Sequence, residues 1–465
     1  MYNLTIKDII DKCNGNLIFG NLETECINFC TDTRKLKYGD VYVGLKGEKF
    51  DGSNFYKQAL ESGAGVCILQ NVEIDDETKN KYTDRAIILV DDTLKTLQKM
   101  AEFKRSKYNI PVIGITGSVG KTSTKDMIAS VVAQKYNVLK TEGNFNNHIG
   151  LPLTILRLQD HNAMVVEMGM SNLGEISLLT NIAKPTIAVI TNVGTAHIGN
   201  LGSRENILKA KLEILEGLEK NGTLIINNDN DMLHMWNEQN TNYNVLSFGI
   251  ENNSNIEAKN INIETDAINY EITYDNETKR IDVPIVSKPF IYNSLAAIAV
   301  GKLLNIDISK IQTGIKNFEL TKNRMEIYKT KTVTIINDCY NANFDSMKAS
   351  IESLAKMEGT RKIAVLGDML ELGEYSKELH YNLGTEVFKN NIDILITVGE
   401  ESKNIAESAL NSKMIKENIH IFEKNAQAIS LLKSIAKDGD VILIKASNGM
   451  KFIEIVNSLK ETFEA

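Results

Sequence analysis

The sequence predicts an α/β protein of several domains, the central one built on a mostly parallel sheet that carries a phosphate-binding loop. Three observations predict this. Strand-like apolar runs alternate with helical segments over most of the chain, the pattern of parallel sheets with crossover connections. Residues 114–127, GITGSVGKTSTKDM, stand between one such strand and one such helix. The 465 residues exceed one ordinary core, so about three domains are expected.

Residues 1–107 form the first domain. They open with MYNLTIKDIIDKCNG, where Lys7, Asp8, Asp11 and Lys12 interrupt the apolar positions. This reads as an amphipathic helix capped by Thr5 and not as a signal peptide. Short strands and glycine turns follow, as in Gly39-Asp-Val-Tyr-Val-Gly, and a helical run over 93–107 closes the segment. Residues 108–318 form the second domain, with strands at 163–167, 186–191 and 223–227 separated by helices. Residues 255–286 change rhythm to alternating polar and apolar positions, predicting antiparallel strands on the edge of this domain. Helix returns at Tyr292-Asn-Ser-Leu-Ala-Ala. A linker near Leu320-Thr-Lys-Asn-Arg opens the third domain, 319–465, with strands at 333–337, 363–366, 394–398 and 441–445 and helices at 345–357 and 426–437.

Composition narrows the function classes. A formal net charge of -8 argues against a broad nucleic-acid-binding face, while leaving room for a local basic pocket. Five scattered cysteines without C-x-x-C spacing fit a reducing compartment and offer no zinc site. No apolar run reaches membrane-spanning length. The expectation is a cytoplasmic monomer acting on small molecules, without nucleic-acid partners or membrane insertion.

The chemistry starts at the glycine loop. Gly117, Ser118, Val119 and Gly120 curl so that successive N–H groups face one anion, and the following helix adds its positive end. Lys121 would reach the terminal phosphates and Thr122 would offer its hydroxyl to Mg²⁺, with Ser123 behind it. Ile115 stands where the full motif has its first glycine, so this is a shortened variant, and ATP is the ligand it suggests. Glu167 ends a strand at the carboxyl edge of the sheet, where α/β folds place their sites, and suits a metal beside the phosphates. His197, in Thr191-Asn-Val-Gly-Thr-Ala-His, reads as a metal or phosphate contact or, more plainly, as a surface histidine capping the next helix. Lys211, by composition alone, is a solvated helix residue. Asp338 and Gly367-Asp-Met-Leu-Glu-Leu-Gly sit at strand ends in the third domain, where a ribose hydroxyl would meet them.

Together these motifs resemble the Mur ligase family, closest to its MurF-type branch, over nearly the whole chain. The family marks are TGSVGKTST, VVEMGM, TNVGTAHIGN and the Ala-Lys-Leu-Glu containing Lys211. The branch marks are DCYNANFDSM (338–347), GDMLELGE (367–374) and GNFNNHIGLPLT (143–154). TDTRKLKYGDVYVGLKGEKFDG (31–52) looks like the family's docking segment for a UDP-linked sugar peptide. The resemblance implies three domains: a UDP-precursor domain, a central P-loop ATPase and a C-terminal Rossmann-like α/β domain that completes the nucleotide and amine sites. It implies an ATP-dependent ligase that joins D-alanyl-D-alanine to UDP-N-acetylmuramoyl-tripeptide in peptidoglycan precursor synthesis, through an acyl phosphate.

Carried residue by residue, Gly117 through Ser123 hold the phosphates, and Thr122 and Glu167 share one Mg²⁺. A second Mg²⁺ would lie on Glu167, His197 and a CO₂-carbamylated Lys211. Lys121, Glu167, His197 and Lys211 are thus the implied catalytic set. Asn293, Arg324 and Asp338 match positions that contact adenine, phosphate and ribose, and Thr33, Arg34, Asn146 and Asn147 match positions facing the UDP-linked substrate. Pro289-Phe290 stand where the family usually has His-Asn before the Asn293 helix. The rival readings are a sister ligase that uses another amine and a nucleotide-binding relative without ligase activity.

Overall fold

The computed structural model describes residues 2–264, 267–319 and 321–464. Leu320, in the expected linker, lies outside the described residues. The first helix, Ile6–Cys13, begins as its sequence predicts: Thr5 and Asp8 form a reciprocal capping box. It leads into a five-stranded sheet ordered Asn16–Phe19, Ala86–Leu89, Val66–Leu69, Val41–Val43, Phe29–Cys30. All neighbours are parallel except the first pair.

Helix Thr93–Ser106, capped by Asp92, joins this sheet to the next layer. Its charged last turn is buried there: Lys104 Nζ donates to Leu156 O at 2.8 Å, and Arg105 donates to Ala183 O at 2.8 Å and Lys184 O at 3.0 Å. These carbonyls end helices Gly150–Leu156 and Glu175–Ala183, where cations satisfy unpaired C=O groups.

The central sheet has seven strands, ordered Ile256–Glu257, Asn244–Gly249, Thr223–Asn227, Ile187–Ile190, Val112–Thr116, Ala163–Glu167, Val138–Lys140, and every neighbouring pair is parallel. Val112–Thr116 and Ala163–Glu167 are buried at every residue, which is why they read as unbroken apolar runs and not as alternating ones. The chain leaves Val112–Thr116 for the edge strand Val138–Lys140 and later returns to the opposite side. The strand order therefore switches at Val112–Thr116, and a crevice opens at the carboxyl ends there.

The alternating segment builds a separate three-stranded antiparallel sheet, Lys259–Ile263, Ile268–Tyr274 and Glu277–Val283, while Ile256–Glu257 joins the main sheet. Asp275 and Asn276, both with positive φ, turn its second hairpin. Tyr270 packs its buried face on helix Lys288–Leu303, its hydroxyl 2.6 Å from Ser294 Oγ.

A six-stranded sheet completes the fold, ordered Glu326–Lys329, Val333–Asn337, Asp440–Lys445, Lys362–Gly367, Ile394–Val398, Ile419–Phe422, parallel except for the first hairpin. Among the described residues no helix is long and apolar enough to cross a membrane. All five cysteines are free.

Burial pulls the Lys104 ammonium down to about 8. An unfolded lysine titrates near 10.4. Between those values the unfolded chain holds more protons than the folded one, so stability rises with pH. Wild type should therefore gain on Lys104→Met by roughly 1 to 3 kcal/mol between about pH 7.5 and 10.5, read from urea unfolding. A pH-independent difference would contradict the buried cation.

Candidate active site

Three strand ends meet at the crevice: Thr116, Glu167 and Ile190. The loop after Thr116 is the predicted phosphate loop, and helix Lys121–Val132 begins directly behind it, with Gly120 as its cap at φ 80°. Gly117 lies against the neighbouring loop so closely that a Cβ there would stand 1.9 Å from Thr191 Oγ1. No larger residue fits without moving one of the two loops.

The contacts explain that closeness. Asn192 O accepts from Ser118 N–H at 3.1 Å, Asn192 Oδ1 accepts from Val119 N–H at 2.9 Å, and Thr191 Oγ1 donates to Val119 O at 2.7 Å. The Thr191–Gly194 segment is thus the backing of the phosphate loop. Lys121 Nζ folds back to Gly117 O at 2.7 Å, the position of a lysine spanning its own anion nest.

Glu167 is buried, and both its carboxylate oxygens are engaged. Thr122 Oγ1 donates to Oε2 and Asn146 Nδ2 to Oε1, each at 2.8 Å. The structure thus brings together the loop threonine, the strand-end acid and one of the two predicted asparagines. Asn147 does something else: its Oδ1 accepts from Ile149 and Gly150 N–H, at 3.1 and 2.9 Å, opening helix Gly150–Leu156.

Lys121 perturbs both His197 and Lys211. Burial, opposed by Glu167 and reinforced by Arg324, pulls the Lys121 ammonium down. Burial first and Lys121 second push Lys211 well below the ordinary lysine range. The same two causes, opposed by Glu371, lower the His197 imidazolium. Lys211 sits on helix Arg204–Leu212, 1% exposed, and among the described residues no carboxylate or carbonyl accepts from its Nζ. A solvated helix lysine is therefore not what the fold makes of it. His197, with φ 63°, has a buried Nδ1 without a hydrogen bond: Glu371 Oε2 is 3.1 Å away but outside hydrogen-bonding geometry.

Among the described residues no three His, Cys, Asp or Glu side chains form a metal cage by themselves. The donors present are a buried carboxylate, a hydroxyl and an imidazole with an unsatisfied nitrogen. Such a set fits a magnesium ion that keeps waters and phosphate oxygens as its other ligands. Lys211 fits that set only as an uncharged amine or as an anion, because an ammonium would repel the cation.

Beside the loop lies a cleft of about 330 Å³, within the size of small-molecule sites. Val119, Gly120, Thr124, Asn192 and Asn293 line one wall; Phe248, Pro289 and Tyr292 give it apolar surface; Asp345 and Glu352 reach it from the C-terminal sheet's helix Phe344–Lys356. Asn293 is buried and accepts from Thr124 Oγ1 at 2.9 Å. Pro289 thus lines the cleft, and Phe290 turns inward onto Phe318.

Arg324 is pre-set. Asn323 and Met325 on either side have positive φ, and the guanidinium stacks 4.0 Å over the Tyr340 ring with its Nε buried and unpartnered. Asp338 supports this turn from within: it accepts from Met325 N–H at 3.2 Å, from Ser350 Oγ at 2.6 Å and from Lys445 Nζ at 2.6 Å. Asp368 likewise serves the fold, accepting from Ser402 N–H at 2.8 Å. Thr33 and Arg34 occupy the turn Thr33–Lys35 in the first domain, where Arg34 grips Asp32 through two hydrogen bonds of 2.9 Å and holds that carboxyl down at about 2. No hydrogen bond or ion pair among the described residues joins them to the Glu167 cluster. Tyr340, Lys445, Asn192 and Asp345 went without a role in the sequence reading. The only signal for Asp345 was its place inside DCYNANFDSM.

Comparison with known proteins matches this layout. The Mur ligase middle domain model matches residues 115–301, the Mur ligase glutamate ligase domain 323–448 and the Mur ligase catalytic domain 28–105. The UDP-N-acetylmuramoyl-tripeptide–D-alanyl-D-alanine ligase of Bacillus subtilis strain 168 is 39% identical, with 99% of each chain covered. The protein of that name from Escherichia coli K12 is 33% identical, again over 99% of each chain. Among solved structures, MurF from Acinetobacter baumannii superposes with a TM-score of 0.89 at 28% identity, over 99% of both chains. MurF ligase from Thermotoga maritima in complex with ADP gives 0.82 at 29% identity, over 94% of this chain and 98% of that one. On full-length identity, on all three domain models and on the shared fold, the chain belongs to the Mur ligase family, in its MurF-type branch.

Proposed function

We propose that this protein is the ATP-dependent ligase that joins D-alanyl-D-alanine to UDP-N-acetylmuramoyl-tripeptide, releasing ADP and phosphate in cytoplasmic peptidoglycan precursor synthesis. The observation that carries the reading is the convergence of Lys121, Thr122, Glu167, His197 and Lys211 on one crevice, beside a nucleotide-sized cleft. In this reading residues 1–107 dock the UDP-precursor through Thr33 and Arg34, and 108–318 bind ATP. Residues 319–465 bring Arg324 and Asp338 to the nucleotide and hold the amine. One chain suffices for the site, which fits a monomer.

The carboxylate of the precursor peptide attacks the γ-phosphorus: a new O–P bond forms, the bond to the β-phosphate oxygen breaks, and ADP leaves. The dipeptide's free amine then attacks the acyl carbon, the C–O bond to phosphate breaks, and the nitrogen gives up its proton as phosphate departs. The N–H groups of Gly117 through Ser123 cradle the phosphates, and Lys121 leaves Gly117 O to bridge them. Arg324, held by Tyr340, adds positive charge where the transferred phosphoryl accumulates negative charge. Asn293 faces the base and Asp338 holds the turn that presents Arg324. Asn146 orients Glu167, and Asn147 sets the loop that faces the UDP-linked peptide.

Mg²⁺ on Thr122 and Glu167, with a second ion on Glu167, His197 and carbamylated Lys211, would neutralise charge on the phosphates and the tetrahedral carbon. A buried amine with no acceptor is chemically suited to carbamylation: CO₂ adds to the neutral Nζ, one proton is lost, and the group becomes an anion among cations. Closure of the two α/β units over the crevice would exclude water and so protect the acyl phosphate from hydrolysis.

ADP release by the full chain with Mg²⁺, ATP and UDP-MurNAc-tripeptide should require D-alanyl-D-alanine and give a product heavier by that dipeptide. Turnover with a different amine would assign a sister activity, and no turnover in a folded, ATP-binding sample would refute the ligase. Lys211→Met should separate stability from catalysis. Removing a buried, unpaired amine leaves the melting temperature equal or higher, while kcat falls by roughly 100-fold or more. Unchanged kcat would remove Lys211 from the mechanism.

A further inference from the structure

Helix Phe344–Lys356 is capped by Asn343, which forms a reciprocal box with Ser346. Asp345 is therefore free of capping its own helix, and its carboxylate reaches out of the C-terminal domain. Asp345 Oδ2 accepts from Thr195 N–H at 2.7 Å and from Thr195 Oγ1 at 3.0 Å. The approach is close enough that a Cβ on Gly194 would lie 2.2 Å from Asp345 Oδ2, so the glycine is what admits the carboxylate. Residues 150 positions apart in sequence thus fit each other's shape.

The loop they meet on has two sides. On one, Gly194 N–H donates to Ser118 Oγ at 2.9 Å, and Asn192 pairs with the Ser118 and Val119 amides. On the other, the C-terminal domain holds it again further along: Glu371 faces His197, and Tyr375 OH donates to Gly202 O at 2.7 Å. Arg204, whose guanidinium donates to Val193 O at 2.8 Å, adds a cation that favours a carboxylate at this spot. A carboxylate beside a phosphate site is repelled by the ligand unless donors fix it, and Asp345 has two donors on Thr195, both making charge-assisted bonds.

We propose that Asp345 is a positioning residue for the ATP-dependent step: by holding the Gly194–Thr195 peptide it sets, through Ser118 and Asn192, the shape of the phosphate loop in the neighbouring domain. The kinetic part of this inference rests on the ligase function proposed above; the structural part does not.

Amide hydrogen exchange and steady-state kinetics on full-length wild type, Asp345→Ala and Asp345→Asn test it together. In Asp345→Ala, exchange at the Ser118, Val119 and Thr195 amides should quicken roughly 10- to 100-fold, the worth of one charge-assisted hydrogen bond. The kcat should fall by a similar factor at unchanged KM for the UDP-linked peptide. Asp345→Asn, which still accepts through its amide oxygen, should recover most of both. If Asp345→Ala does not fold, Thr195→Val removes only the hydroxyl donor and should move the same amides in the same direction, less far. Unchanged exchange at Ser118 and Val119, or a kcat loss that Asp345→Asn does not recover, would overturn the proposal. Absence of ligation in wild type would instead overturn the ligase reading, leaving the exchange result to judge Asp345.

Discussion

Positive charge gathered around the buried Lys121 is the constraint from which the rest of this structure follows. Lys121 lies within electrostatic reach of Lys211, His197 and Arg324, and the buried Glu167 is the acid that opposes it. Burying an unpaired cation costs roughly several kcal/mol even after relaxation. Three of the groups respond by losing affinity for a proton, Lys211 most of all. A site in this condition is poised for an anionic ligand.

The scaffold that holds these groups is shared between two sheets. The parallel central sheet delivers Thr116, Glu167 and Ile190 to one edge because its strand order switches at Val112–Thr116. The segment 191–202 then serves as a common wall: the phosphate loop leans on its inner side and the C-terminal domain on its outer side. The turn carrying Arg324 is built differently, from two left-handed residues braced by Asp338 and Asn337. A charge that must meet a mobile ligand is thus mounted on a stiff support, which lowers the entropy lost on binding.

Much of this was legible in the residues. The unbroken apolar strands, the glycine loop with its lysine and threonine, and the strand-end position of Glu167 are local features, and local rules describe them. Elsewhere packing overrode the local pattern. The alternation over 255–286 correctly indicated antiparallel strands, but the strands form a sheet of their own, with only Ile256–Glu257 added to the main one. The helix that carries Lys211 ends as an α-helix at Leu212 and tightens into the 3₁₀ turn Glu213–Glu216. The reason is that Glu213 is drawn away to accept from Gly174 and Ser177 N–H, at the start of another helix. Helices Ser376–Lys389, Lys403–Asn411 and Ile453–Glu464 were not singled out at all.

The sequence by itself determined the elements and the chemical inventory: which segments are strands, where the anion nest lies, and which side chains carry charge or a metal-binding oxygen. Those properties depend on spacing and residue type within a few positions. Tertiary structure alone decided what each inventory member does. Lys211 became a buried amine without an acceptor, Asp338 a brace with three donors, and Asp345 a hand laid on another domain. Their burial, pKa and hydrogen-bond partners are set by residues 12 to 150 positions away, brought close by strand order and domain docking, and no local pattern encodes that proximity.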